Sequence, residues 1–196
     1  MNGATLAIAD PPYPPNLLAA GHGTQTRADR WYGGNDTRTG ADYRTADYHP
    51  DAAEWNDPAR HRELLADLAA RFDGWAIATT PDAVAAVYPP LPIGTRVMAW
   101  HKLRALPTGH RIASSWEAVL VYPPPDRRSS RGRGQLPDLL RCPAPQGSFA
   151  GAKPAAWTRW VLDALGYDPD TDTLVDMFPG SGAVARAASQ GTLWNP

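Results

Sequence analysis

The chain has 196 residues and a formal net charge of −1, from 19 Lys and Arg against 20 Asp and Glu, which fits one compact domain and excludes a global basic field for recruiting polyanions. Its 17 Gly and 21 Pro make up about a fifth of the residues, above an average of roughly 12% but below the roughly 25–30% of low-complexity chains, so a loop-rich globular protein is expected. A lone Cys142 excludes an intramolecular disulfide framework and a cysteine-built zinc site. With no apolar run near ~18–20 residues and no leader-like N-terminal pattern, a soluble, cytoplasmic protein is expected.

In chain order, Thr5-Leu-Ala-Ile-Ala9 reads as a buried strand that Asp10-Pro-Pro-Tyr-Pro-Pro15 stops abruptly, since no helix or central strand continues through such a run. Residues 14–56 show no sustained apolar period and read as a long mobile loop rich in Gly, Tyr and Trp. Asp57-Pro58 caps a helix with Leu64, Leu65, Leu68, Ala69 and Phe72 on one apolar face, ending at Gly74. Residues 75–79 then read as a second buried strand, and Thr80-Pro81-Asp82 as the start of a short helix ending before Pro89-Pro90. Residues 97–100 and 116–122 read as two more strands joined by a hairpin or long turn.

Residues 123–152 turn to proline, glycine and arginine, with Arg127, Arg128, Arg131 and Arg133 close together; they read as a connector or a small target-recognition insertion. Pro154 opens a helix with Trp157, Trp160, Val161, Ala164 and Leu165 on one face and Gly166 at its end. Residues 173–178 form a last strand, followed by Pro179-Gly-Ser-Gly182 and an alanine-rich helix. Strands alternating with helices predict an α/β sheet, mostly parallel with an antiparallel edge, in a single domain spanning residues 1–196.

Two constellations carry chemistry. Asp10, Pro11, Pro12 and Tyr13 lie at the carboxyl end of a buried strand, where open α/β sheets place ligands. The prolines remove backbone donors and leave the Pro11 carbonyl and the Asp10 carboxylate as acceptors beside an aromatic face, a set that matches an exocyclic amino group on a flat base. In the second, Asp176, Phe178, Gly180, Ser181 and Gly182 span the turn between the last strand and its helix. The glycines admit close backbone approach and the helix start offers amide donors to a carboxylate or phosphate. Gly180-Ser-Gly-Ala-Val-Ala185 also fits a dinucleotide fingerprint, but only 14 residues follow Gly182, fewer than the roughly 20 needed to reach the ribose-binding acid. The five histidines show no metal-ligand spacing, and no metal is expected.

Taken together, Asp10 to Tyr13 and Asp176 to Gly182 resemble the catalytic signature (Asp/Asn/Ser)-Pro-Pro-(Tyr/Phe/Trp) and the cofactor signature Asp-x-Phe-x-Gly-x-Gly of the DNA amino-methyltransferases, which methylate adenine N6 or cytosine N4 from S-adenosylmethionine. The catalytic motif comes first, as in the circularly permuted β group, and Gly151-Ala-Lys153-Pro154 stands where that group has its Lys-Pro helix. Trp100-His-Lys102 and Trp116-Glu117 resemble the group's middle strands more weakly.

The resemblance implies a Rossmann-like methyltransferase sheet, catalysis by residues 10–13, and S-adenosylmethionine bound by Lys153, Pro154, Asp176, Phe178, Gly180, Ser181 and Gly182. For Lys153, solvent exposure is the alternative. It also implies double-stranded DNA with the target base flipped out to stack on Tyr13. The family continues into a strand whose acidic residue holds the cofactor ribose, and this sequence stops at Asn195-Pro196, so Asp29, Asp36 or another loop carboxylate would have to serve. Adenine N6 is expected ahead of cytosine N4, and a methyltransferase-like nucleic-acid-binding module without turnover is the alternative in another class. Arg127, Arg128, Arg131 and Arg133 are candidates for phosphate contact, with a solvated linker as the other reading. Trp31 and Tyr32, among arginines in the long loop, could close on DNA or pack on their own domain.

Overall fold

A computed structural model describes residues 3–14, 52–106, 111–130, 134–145, 152–180 and 182–189. Among these residues six strands form one sheet: β1 (Thr5–Ala9), β2 (Gly74–Thr79), β3 (Arg96–Leu106), β4 (Ser114–Tyr122), β5 (Leu139–Arg141) and β6 (Thr173–Asp176), in the spatial order β5-β3-β4-β2-β1-β6. β1 pairs in parallel with both β2 and β6, and β4 is antiparallel to β2 and β3. β5 then adds in parallel to β3. One strand of the six thus runs against the rest.

β1 has no polar side chain between Leu6 and Ala9, as a strand buried on both faces requires. Leu6 and Ile8 face one side, against α3 (Ala155–Leu165) and α4 (Ala183–Ala188), while Ala7 and Ala9 face α1 (Pro58–Arg71) and α2 (Pro81–Ala86). The result is a three-layer α/β/α arrangement of the Rossmann-like kind. Asp57 accepts from Ala59 N–H (2.8 Å) to cap α1, with Pro58 in the first turn. Gly166, at φ +68°, ends α3 in the left-handed conformation that favours glycine.

Several expectations are corrected. α1 ends at Arg71, and Gly74 is the first residue of β2. A Cβ there would meet Pro124 Cδ at 2.6 Å and Leu6 Cδ2 at 3.0 Å, so close packing, not helix termination, accounts for this glycine. His61 takes the inward position on α1 expected of Ala69, which is exposed. The last strand stops at Asp176, leaving Phe178 in the following turn. The β3–β4 hairpin does not form the rim of the sheet, because residues 139–141 of the arginine- and proline-rich connector supply β5 outside it. That connector also packs Leu136, Leu140, Cys142 and Ala144 against the α3 side of the core. Of the long-loop segment 14–56, residues 15–51 lie outside the described residues, and Ala52–Asn56 form a short 3-10 helix with Trp55 buried. Among the described residues no helix is long and apolar enough to cross a membrane.

Candidate active site

β1 and β6 are neighbours, with Ile8 opposite Asp176 and Met177 N–H donating to the Ile8 carbonyl at 2.9 Å. Among the described α-helices, the next after β1 in chain order is α1, on one face of the sheet, and the next after β6 is α4, on the other. Adjacent parallel strands whose following helices lie on opposite faces have a crevice at their carboxyl ends, the place where α/β sheets bind ligands. The Asp-Pro-Pro-Tyr segment and the glycine turn, 163 residues apart in sequence between Tyr13 and Asp176, meet there.

The α3-facing row of four strands runs out in a charged residue at this end of the sheet. Leu6 and Ile8 are followed by Asp10, Leu174 by Asp176, Met98 and Trp100 by Lys102, and Val121 and Val119, read backwards along β4, by Glu117. Side chains two apart share a face of a strand. Glu117 belongs at this end only because β4 is antiparallel, in register with Trp100.

Lys153, just before α3, reaches into the crevice with its side chain 6% exposed. Its ammonium donates to both oxygens of Asp10, at 2.8 and 2.7 Å, and stands 3.7 Å from Glu117 Oε2. It also lies 5.3 Å from the centre of the Tyr13 ring and 5.7 Å from that of Trp157. Tyr13 Oη donates to Glu117 Oε2 at 2.6 Å, and Lys102 donates to Glu117 Oε1. Pro11 and Pro12 are buried, which fixes the strand exit.

Removal from water raises the Asp10 pKa, with Glu117 and Asp176 adding to the rise and Lys153 opposing it. Burial pushes Glu117 up too, but Lys153, Lys102 and the Tyr13 hydroxyl together hold it below the usual carboxylate range. Two carboxylates on one ammonium are therefore pushed in opposite directions. Burial also raises Asp176, whose Oδ1 accepts from Phe178 N–H at 3.1 Å.

In the glycine turn, Gly180 has φ +37° and Gly182 φ +71°, and Gly182 N–H donates to the Pro179 carbonyl at 2.6 Å. Phe178 meets Trp55 edge-on at 5.1 Å, and Trp55 in turn meets His61 at 5.2 Å. His61 Nε2 lies 2.9 Å from the Trp55 carbonyl, an acceptor only, so this nitrogen carries the proton and Nδ1 accepts from Tyr88 Oη at 3.2 Å. This aromatic chain backs the glycine turn from the α1 side.

Of the residues expected at the site, Asp10, Pro11, Pro12, Tyr13, Lys153, Pro154, Asp176, Phe178, Gly180 and Gly182 are drawn to one end of the sheet. Ser181, Trp31, Tyr32, Arg131 and Arg133, with Asp29 and Asp36, lie outside the described residues. Lys153 was expected on cofactor or solvent, and its partner is the Asp10 carboxylate. Arg127 and Arg128 are not brought to this site. They follow Tyr122, which pairs with Trp75 at the start of β2, and so stand at the opposite end of the sheet from Asp10. Arg127 is spent on Asp172 and the Gly166 carbonyl, and Arg128 lies over the Tyr122 ring at 4.5 Å. Glu117 and Lys102 were read only as parts of strands. The signal that could have found them is a charge falling on the core-facing side of an otherwise apolar alternation.

No family model matches the chain, and no curated protein matches it. Among solved structures it is similar to the crystal structure of an M1.HpyAVI–SAM complex, with 15% identity, a TM-score of 0.47, and coverage of 96% of this chain and 79% of that one.

Proposed function

We propose that the chain transfers a methyl group from S-adenosylmethionine to the exocyclic amino group of a nucleic-acid base, adenine N6 of DNA before cytosine N4. The observation that carries this reading is the meeting of residues 10–13 with the Asp176–Gly182 turn across the β1–β6 switch point. Strand neighbours supply the proximity that a reaction between two bound molecules requires. The glycine turn fits the donor: two positions without a Cβ, both at positive φ, let backbone approach a ligand closely beside the Asp176 carboxylate.

S-adenosylmethionine, when bound, supplies an electrophilic sulfonium methyl. The chain's own residues would do the rest. The Asp10 carboxylate and the Pro11 carbonyl accept the two N–H groups of the amine, turning its lone pair away from the ring and stabilising positive charge as it develops. Tyr13 offers a ring face to the base, with its hydroxyl held by Glu117. An amino group paired within a duplex cannot make these contacts, so the base is read as flipped out.

The test is incubation with methyl-labelled S-adenosylmethionine and unmodified DNA, followed by nucleoside analysis. Label in N6-methyladenine is the expected result. Label in N4-methylcytosine reassigns the base, and no incorporation at any salt overturns the enzyme reading. Asp10→Ala should lower transfer by roughly a hundredfold or more while leaving S-adenosylmethionine binding within a few-fold.

A further inference from the structure

The Lys153 ammonium is held between two carboxylates, not one. It is hydrogen-bonded to both oxygens of Asp10 and lies 3.7 Å from Glu117 Oε2, so a shift of about 1 Å would bring it within hydrogen-bond distance of the second. Its side chain is 6% exposed and is flanked by the rings of Tyr13 and Trp157. Movement between the carboxylates is therefore open to it, and escape to water is not. Glu117 is anchored independently by Lys102 and by the Tyr13 hydroxyl. It can receive the ammonium without moving.

We propose that Lys153 is a positioning residue shared between these carboxylates: it holds Asp10 as an acceptor while the amine docks, and passes to Glu117 once Asp10 has taken the amine's proton. The inference rests on the reading above, in which Asp10 receives an amino group. In the reaction, the amine lone pair forms the N–C bond as the carbon–sulfur pair of a sulfonium methyl donor departs with sulfur. The nitrogen, now positive, breaks one N–H bond, keeps that electron pair, and its proton goes to an Asp10 oxygen. Asp10 becomes neutral and no longer attracts the ammonium as a charge, whereas Glu117 remains ionised at 3.7 Å. The shift of Lys153 follows the charge.

The opposed environments of the carboxylates fit these roles. Burial, with help from Glu117 and Asp176, makes Asp10 the easier one to protonate, and two ammonium groups and a hydroxyl keep Glu117 charged. Among the described residues, the groups facing Asp10 are Lys153 ahead of α3, Glu117 on β4, Asp176 on β6 and, through charge alone, Tyr88 beyond α2. Lys102 on β3 acts on it through Glu117.

Two variants predict opposite shifts. Lys153→Met removes the cation that keeps Asp10 ionised, so the Asp10 midpoint rises. Glu117→Gln removes a negative neighbour of Asp10 and a competing carboxylate beside Lys153, so the midpoint falls. The first measurement is the carboxyl carbon-13 titration of Asp10 in each full-length protein without substrate. The second is single-turnover methyl transfer against pH, whose acid limb should move with the same signs by about one pH unit, with a lower plateau for Glu117→Gln.

Midpoints that move the same way, or that stay put in both variants, overturn the proposal. If Lys153→Met fails to fold, the near-isosteric Glu117→Gln decides alone, since an unchanged or raised Asp10 midpoint contradicts it. Opposite titration shifts without methyl transfer by the parent protein would uphold the sharing of Lys153 between the two carboxylates but refute the enzyme reading, and with it the passage of Lys153 during transfer. Transfer with unmoved midpoints would do the reverse.

Discussion

The Arg127 guanidinium donates to both oxygens of Asp172 and to the Gly166 carbonyl, and the two charged side chains are 7% and 0% exposed. Asp172 also accepts from the backbone N–H groups of Ala4 and Asp168, both at 2.8 Å. One carboxylate thus ties the start of β1, the segment after β4, the end of α3 and the start of β6 together. Removing one partner leaves a buried charge uncompensated, so Asp172→Ala or Arg127→Ala should cost about 3–5 kcal/mol in urea unfolding. Under the proposed function, Arg127→Ala should leave the salt slope of DNA binding unchanged, because this guanidinium is engaged by Asp172 and the Gly166 carbonyl. In sequence, Arg127 was indistinguishable from its neighbours Arg128, Arg131 and Arg133. Its partner is 45 residues away, and no local spacing announces such a pair. Asp10 and Asp176 were legible for the converse reason: each sits in a short, chemically peculiar segment whose prolines or glycines do something a plain turn does not require.

At the level of elements, strands and helices were legible wherever an apolar period was sustained. α3 runs as expected from Pro154 to Gly166, and β1 and β2 are buried on both faces as their unbroken apolar runs implied. β5 escaped notice because three residues, mostly exposed, carry no period; it exists because the open edge of β3 offers a partner. Gly74 was legible as a boundary but for the wrong reason. Gly74→Ala would drive a methyl against Pro124 Cδ, 2.6 Å from the new carbon, and against Leu6, one of the fully buried side chains. A loss of about 1–3 kcal/mol is expected, read by thermal or urea denaturation, because the proline ring is too rigid to yield as a long side chain would.

The whole molecule should respond to acid through groups in different layers. Burial lowers the His61 pKa, so neutral histidine is favoured in the folded state. That contribution is present above the unfolded value of about 6.5 and is lost as pH falls below it. Asp163 opposes it: burial raises its pKa to about 6, so the folded state gains as pH falls from about 6 towards the unfolded value near 4. Asp172, held at about 2 by Arg127 and backbone donors, loses its contribution only below about pH 4. Urea titrations across pH 7 to 4 should therefore show a steeper acid loss in Asp163→Asn than in the parent, and a shallower one in His61→Gln. Identical slopes in all three would contradict these assignments.

The position of β1 carries a consequence for biosynthesis. Among the described strands it leaves the ribosome before the other five, yet one of its two neighbours is β6, the last of them in chain order. Until residues 173–176 emerge, a strand apolar from Leu6 to Ala9 presents an unpaired edge, and pairing it with β2 cures only one side. Such edges are templates for misassembly. The candidate site cannot be completed early either, because Asp176 joins Asp10 and Lys153 only when β6 docks. Truncations ending before residue 173 should therefore accumulate as chaperone-bound or aggregated chains.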